Sequence, residues 1–114
     1  MDQPVASPPR RDGVTSLADY RQRLNESVVF EGRCVQVLTS RSGSAFAVMF
    51  EPGTWTEGFK LVVPTAYVPE VGGAPYIRRL AGSMIRAQGI VTHSPIFGYE
   101  ISISHRAQIL DVRR

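Results

Sequence analysis

Few side chains in this sequence have the type and spacing that catalysis needs. Cys34 is the only cysteine and falls inside an apolar run, where a small inward-facing residue is expected, not a nucleophile. His93 and His105 stand in or beside turn-rich segments, and no cysteine or carboxylate lies at metal-ligand spacing from either. The acids are scattered singly and form no visible acid/base pair. Gly72-Gly73 lacks the strand, lysine and hydroxyl context of a phosphate loop. No catalysis, no metal and no cofactor are therefore expected. A second set of residues suits binding better. Arg41, Trp55, Lys60, His93, Phe97 and Tyr99 supply cations and flat rings, the groups that hold phosphates and stack unpaired bases. Arg33 is expected at their flank.

Charge sets the strength of any such binding. The chain of 114 residues carries a net +3. Four Arg and four acids cancel over residues 1–27, and seven basic against six acidic residues leave +1 over residues 28–112. Arg113 and Arg114 add the rest. A dedicated duplex binder shows a denser basic patch. Twelve of the thirteen basic residues are Arg, which suits phosphate forks and base stacking and equally accompanies a GC-rich genome.

The elements that must position these residues follow from periodicity. Residues 1–13 hold Pro4, Pro8, Pro9 and Gly13 and read as a flexible leader without a hydrophobic signal core. A short helix follows, capped by Thr15 or Ser16, with Leu17, Tyr20 and Leu24 on one face and Asn25 closing it. From Val28 the period becomes two. Val28–Leu38 reads as one long strand, with a bulge or bend expected at Gly32. Ala45–Phe50 and Phe59–Val63 are the second and third strands, ended by Pro64. A short helix over Tyr76–Leu80 turns Ile77 and Leu80 inward. Met84–Thr92 and Tyr99–Ile103 complete a hairpin whose loop is His93–Gly98, and Gln108–Val112 extends or follows it. The fold class is all-β: a five-stranded OB-fold barrel with a short N-terminal helix and a short helix between strands three and four, spanning residues 14–112.

Several runs also resemble small bacterial OB-fold domains described as nucleic-acid-binding. Val28-Val29-Phe30-Glu31-Gly32-Arg33-Cys34-Val35 is similar to their first strand. Ala45–Phe50 followed by Phe59–Pro64 resembles their second and third strands. Leu80–Val91 and the closing Gly98–Ile101 and Gln108-Ile109 are similar to their later strands. The resemblance covers residues 28–112, and it departs at Cys34, at Met49 and in the longer 65–75 loop.

Such a barrel binds on the face of its second and third strands, between the Ser40–Ser44 and His93–Gly98 loops. Single-stranded DNA or RNA is thus the expected ligand, with Arg41, Lys60, Trp55, His93, Phe97 and Tyr99 as contacts. Packing roles compete: Trp55 suits a cap on the barrel end, and Tyr99 starts a strand. Ala45, Ala47, Met49 and Val62 are expected to line much of the face, which suits a protein partner or a homo-oligomer as the alternative. Oligosaccharide is a third ligand class for such barrels. No segment reaches membrane-spanning length, no intramolecular disulfide can form, and a cytoplasmic location is expected.

Overall fold

The computed structural model describes residues 13–95 and 97–114, so the expected leader, Gly13 apart, lies outside the described residues. The chain is mostly β. Among the described residues eight strands replace the expected five: β1 (Val14–Thr15), β2 (Ser27–Arg33), β3 (Gln36–Thr39), β4 (Ala45–Met49), β5 (Lys60–Pro64), β6 (Met84–Ser94), β7 (Gly98–Ser102) and β8 (Ile109–Arg113). Two short helices, α1 (Val68–Val71) and α2 (Ala74–Arg78), sit between β5 and β6. Pro69 and Pro75 stand in their first turns, where a missing N–H costs nothing. Ile77 and Leu80 are buried as the sequence pattern required.

Pairing runs β1-β2-β6-β7-β5-β4-β3, with β8 beside β6. The sheet is mixed: β1 with β2 and β5 with β7 are parallel, the others antiparallel. Among the described residues no ladder joins β1 to β3, so the pairing draws an open eight-stranded sheet in place of the closed five-stranded barrel expected. The expected first strand is broken. Cys34 N–H donates to Ser83 O, and one residue later Val35 N–H donates to Met49 O, both at 2.8 Å. These two residues carry the chain from its pairing with β6 to its pairing with β4.

The break is not at Gly32. The β2–β6 register runs unbroken through Gly32 opposite Ile85. A Cβ at Gly32 would stand 2.9 Å from Phe30 Cε2 and 3.1 Å from Phe50 Cδ1. The glycine is there because two rings occupy the space a side chain would need.

Those rings are the centre of the core. Phe30 packs on Phe59 with centroids 4.4 Å apart and on Phe50 at 4.8 Å, and Tyr20 lies 4.7 Å from Phe59. Leu61, Val63, Val48, Ile85, Val91, Ile101 and Ile103 belong to the same buried cluster. Burying each such side chain contributes about 1.5–3 kcal/mol.

The expected N-terminal helix is reduced to one 3₁₀ turn, Tyr20–Arg23. Thr15 pairs with Phe30 in β1–β2 and cannot act as a cap. At the other end Asn25 N–H donates to Val91 O at 2.7 Å, and Asn25 takes the left-handed conformation expected of it. Strand pairing at both ends leaves room for a single turn. Tyr20 still reaches the core, while Leu24 is exposed.

Candidate functional site

The Ser40–Ser44 turn is built from its own hydroxyls. Ser40 Oγ accepts from the backbone N–H of Ser44 at 2.8 Å and of Ala45 at 3.1 Å. Thr65 Oγ1 donates to Gly43 O at 2.6 Å, pinning the turn to the end of β5. Arg41 is thereby presented to solvent on a fixed loop.

Residues 51–59 join β4 to β5 and hold themselves with Thr54 N–H donating to Glu57 Oε1 at 3.0 Å and Glu57 N–H to Thr54 O at 3.1 Å. Gln36 Nε2 donates to Gly53 O at 3.2 Å, drawing this loop back toward β3. Trp55, at its tip, lies with its ring centroid 5.7 Å from that of Phe97 in the β6–β7 connection. Three loops distant in sequence therefore meet. Leu38, Thr39, Ser40, Arg41, Trp55, Thr56 and Phe97 line one open pocket of about 560 Å³. The Trp55 indole N–H is buried without a hydrogen-bond acceptor among the described residues, and a buried unmade hydrogen bond is costly.

Arg41, Trp55 and Phe97 are thus brought together, and Lys60 is not at the surface with them. Lys60 is 0% exposed. Its Nζ donates to Gly58 O at 3.2 Å, to Phe97 O, and to Tyr99 O at 3.4 Å. Burial pulls its pKa down, opposed by the negative charges of Glu100 and Glu51. Glu100, its opposite number in β7, is pushed above the usual carboxylate range by burial, opposed by Lys60.

His93 and Tyr99 face each other across β6–β7, ring centroids 4.7 Å apart, outside the pocket lining. Tyr99 belongs to the core side: it lies edge-on to Tyr20 at 5.4 Å, and the Arg21 guanidinium sits 4.8 Å from the Tyr20 ring. Arg33 is also elsewhere, donating from Nη1 to Gly82 O at 2.8 Å.

The apolar face expected on β4 and β5 is not exposed. Ala45, Ala47, Met49 and Val62 are all buried. Leu38 is the cross-strand partner of Ala47, and it lines the pocket beside Trp55. Leu38, Thr39 and Thr56 were not singled out from sequence. Their place follows from the β3–β4 register and the loop's return, and no local pattern marks either.

Cys34 is buried, its Sγ 3.3 Å from Gln36 O, and burial raises its pKa. No cluster of His, Cys, Asp and Glu that could hold a metal occurs among the described residues. No helix among them is long and apolar enough to cross a membrane.

No protein-family model matches the chain, and no curated protein matches it. Among chains of known structure, one described as an aspartyl-tRNA synthetase from Leishmania major Friedlin is similar with a TM-score of 0.51. Identity is 10% and 92% of this chain is covered, against 22% of that protein, so this chain matches about a fifth of the synthetase. At that identity the likeness is one of fold, and it is compatible with an OB-like arrangement of the strands.

Proposed function

We propose that this chain is a non-catalytic OB-type module that binds single-stranded nucleic acid in the pocket between Arg41, Trp55 and Phe97. The supporting observation is the convergence itself. Two aromatic rings and one exposed guanidinium are delivered to one pocket by three separate loops. Rings give a sequence-tolerant stacking surface, and the guanidinium takes a phosphate.

The barrel reading rests on treating β2 and β3 as two halves of one strand that changes partner at Cys34–Val35. β2/β3, β4, β5, β6 and β7 are then the five strands of such a barrel, with the helices between the third and fourth. The fold likeness to a protein named for tRNA lends the nucleic-acid reading modest weight. The protein-partner alternative loses its motivating observation, because the Ala/Met/Val face is buried.

Fluorescence anisotropy of a labelled single-stranded oligonucleotide, DNA and RNA in parallel, tests this at two salt concentrations. Saturable binding that quenches Trp55, the one tryptophan of the sequence, is expected. Absence of binding at micromolar protein and low salt removes the proposal.

A further inference from the structure

Both walls of the pocket hang on one buried amine. Lys60 is the first residue of β5, so its stem rises from rigid sheet and not from a loop. Its Nζ reaches Gly58 O on the Trp55 side, and Phe97 O and Tyr99 O on the Phe97 side. The two segments also touch directly. A Cβ at Gly98 would stand 2.8 Å from Thr56 O, so only a glycine allows this approach of backbone to backbone, and its φ of +73° suits glycine as well. Buried carbonyls need donors, and the ammonium has three.

We infer that Lys60 is the positioning residue of the site, an internal clamp that fixes the separation of Trp55 and Phe97 without touching the ligand. The inference rests on the pocket being the binding site, but its first readout does not. An apolar chain of similar length at position 60 keeps the packing and removes the donors. Gly58 and Phe97 then lose a common partner, and the Trp55–Phe97 ring contact, the Thr56–Gly98 approach and the flanking β5–β7 ladder remain. An arginine is a poor replacement, because its planar fork does not fit a space shaped for a compact ammonium.

The test is Lys60→Met, examined without ligand first. The Trp55 emission spectrum and the ring-current-shifted Phe97 resonances are expected to move. The Tyr20–Phe59 cross-peaks of the core are expected to stay. Oligonucleotide affinity is then expected to fall about tenfold, the scale of one stacked base. Lys60→Gln is the second variant. It keeps a polar terminus but has no ammonium and a shorter reach, and it decides the matter if Lys60→Met does not fold. Unchanged Trp55 and Phe97 signals in the folded Lys60→Met protein, or in Lys60→Gln where Lys60→Met does not fold, overturn the clamp. If the wild-type protein binds no oligonucleotide but Lys60→Met still moves those signals, the nucleic-acid reading falls and the clamp stands.

Discussion

Lys60 and Glu100 stand opposite one another in the parallel pairing of β5 with β7, and burial works against both of their charges. The ammonium answers this with three carbonyls, whereas Glu100 Oε1 is buried without a hydrogen-bond donor among the described residues. The pair is therefore unequal: the cation is structurally committed and the carboxylate is the less satisfied member.

Glu100 gives the pair a pH signature. Its folded pKa is raised above the ordinary 4.5. A raised carboxyl contributes stability below the ordinary value and loses it as pH rises through the folded value. Relative to Glu100→Gln, which does not titrate, the wild-type protein should become less stable as pH climbs from about 4.5 toward neutrality. Urea unfolding of both proteins across that range measures the difference. Parallel curves would show that the carboxylate is as well solvated in the fold as out of it.

Lys60 acts at the opposite end of the scale. Its folded pKa is depressed below the ordinary 10.5. The unfolded chain then holds the proton more tightly, so the contribution of this residue improves as pH rises from the folded value to the ordinary one. Against Lys60→Met, the wild-type protein should gain stability over that alkaline window. Denaturant midpoints taken at neutral pH and near pH 10 check the sign, and a loss over the window contradicts it.

Glycines test the packing independently of the site. A Cβ at Gly89 would come within 2.4 Å of Ile101 Cγ2, a stiff branched side chain that is fully buried. Gly89→Ala should cost about 1–3 kcal/mol through overpacking. Gly43 has nothing within 4 Å of its Cβ position but a φ of +76°. Gly43→Ala should cost only the backbone strain, about 1–2 kcal/mol. Chemical denaturation separates the two origins when the facing methyl is removed. Ile101→Leu, which lacks the Cγ2 branch, should soften the first penalty and leave the second unchanged.

Alternation made the core legible in the sequence. Phe46, Val48 and Phe50, and Phe59, Leu61 and Val63, all turn inward as period two requires. The opposite set, Ala45, Ala47, Met49, Lys60 and Val62, obeys the same period but is buried too. Period two tells which side a residue takes and says nothing of what covers that side. The return of residues 51–59 toward β3 likewise depends on Gln36 holding Gly53 and on Lys60 holding Gly58. Such contacts have no local signature. Three of the expected contacts, Arg41, Trp55 and Phe97, meet because they sit on loops at one end of the sheet. Tyr99 shares the core side with Ile101, and the strict alternation of Tyr99, Ile101 and Ile103 already contained that placement. The two-residue β1 was invisible, because a parallel pairing of Val14 with Val29 leaves no repeating pattern in so short a stretch.

Within the expected contacts the structure separates pocket residues from bystanders, and binding should follow that line. Trp55→Ala and Phe97→Ala each remove a stacking surface worth about 1–3 kcal/mol, or roughly 5- to 150-fold in affinity. His93→Ala removes a ring that faces Tyr99 outside the pocket and should leave affinity within about twofold of wild type, the level of an indifferent surface change. Anisotropy titrations on the three variants give the comparison. A His93→Ala loss equal to that of Trp55→Ala would move the binding surface to the Tyr20–Tyr99–His93 side.

Salt dependence follows from how few cations the pocket has. Arg41 is the lining residue with a charge, and Lys60, though close by in the sheet, has its ammonium on backbone carbonyls. For single strands each neutralised phosphate contributes a slope of about −0.7 in log K against log salt concentration. One or two phosphates near Arg41 then give a slope between about −0.7 and −1.4. A shallow slope with affinity that depends on Trp55 is the mark of stacking. A slope steeper than about −3 would mean that four or more phosphates are engaged. The pocket could not account for so many, and the distributed arginines, Arg78, Arg79, Arg106 and Arg114 among them, would become the surface to map. Arg41→Ala sharpens the test. It should flatten the slope by about one phosphate's worth while Trp55→Ala leaves the slope alone, so charge and stacking are read from separate axes of the same titration.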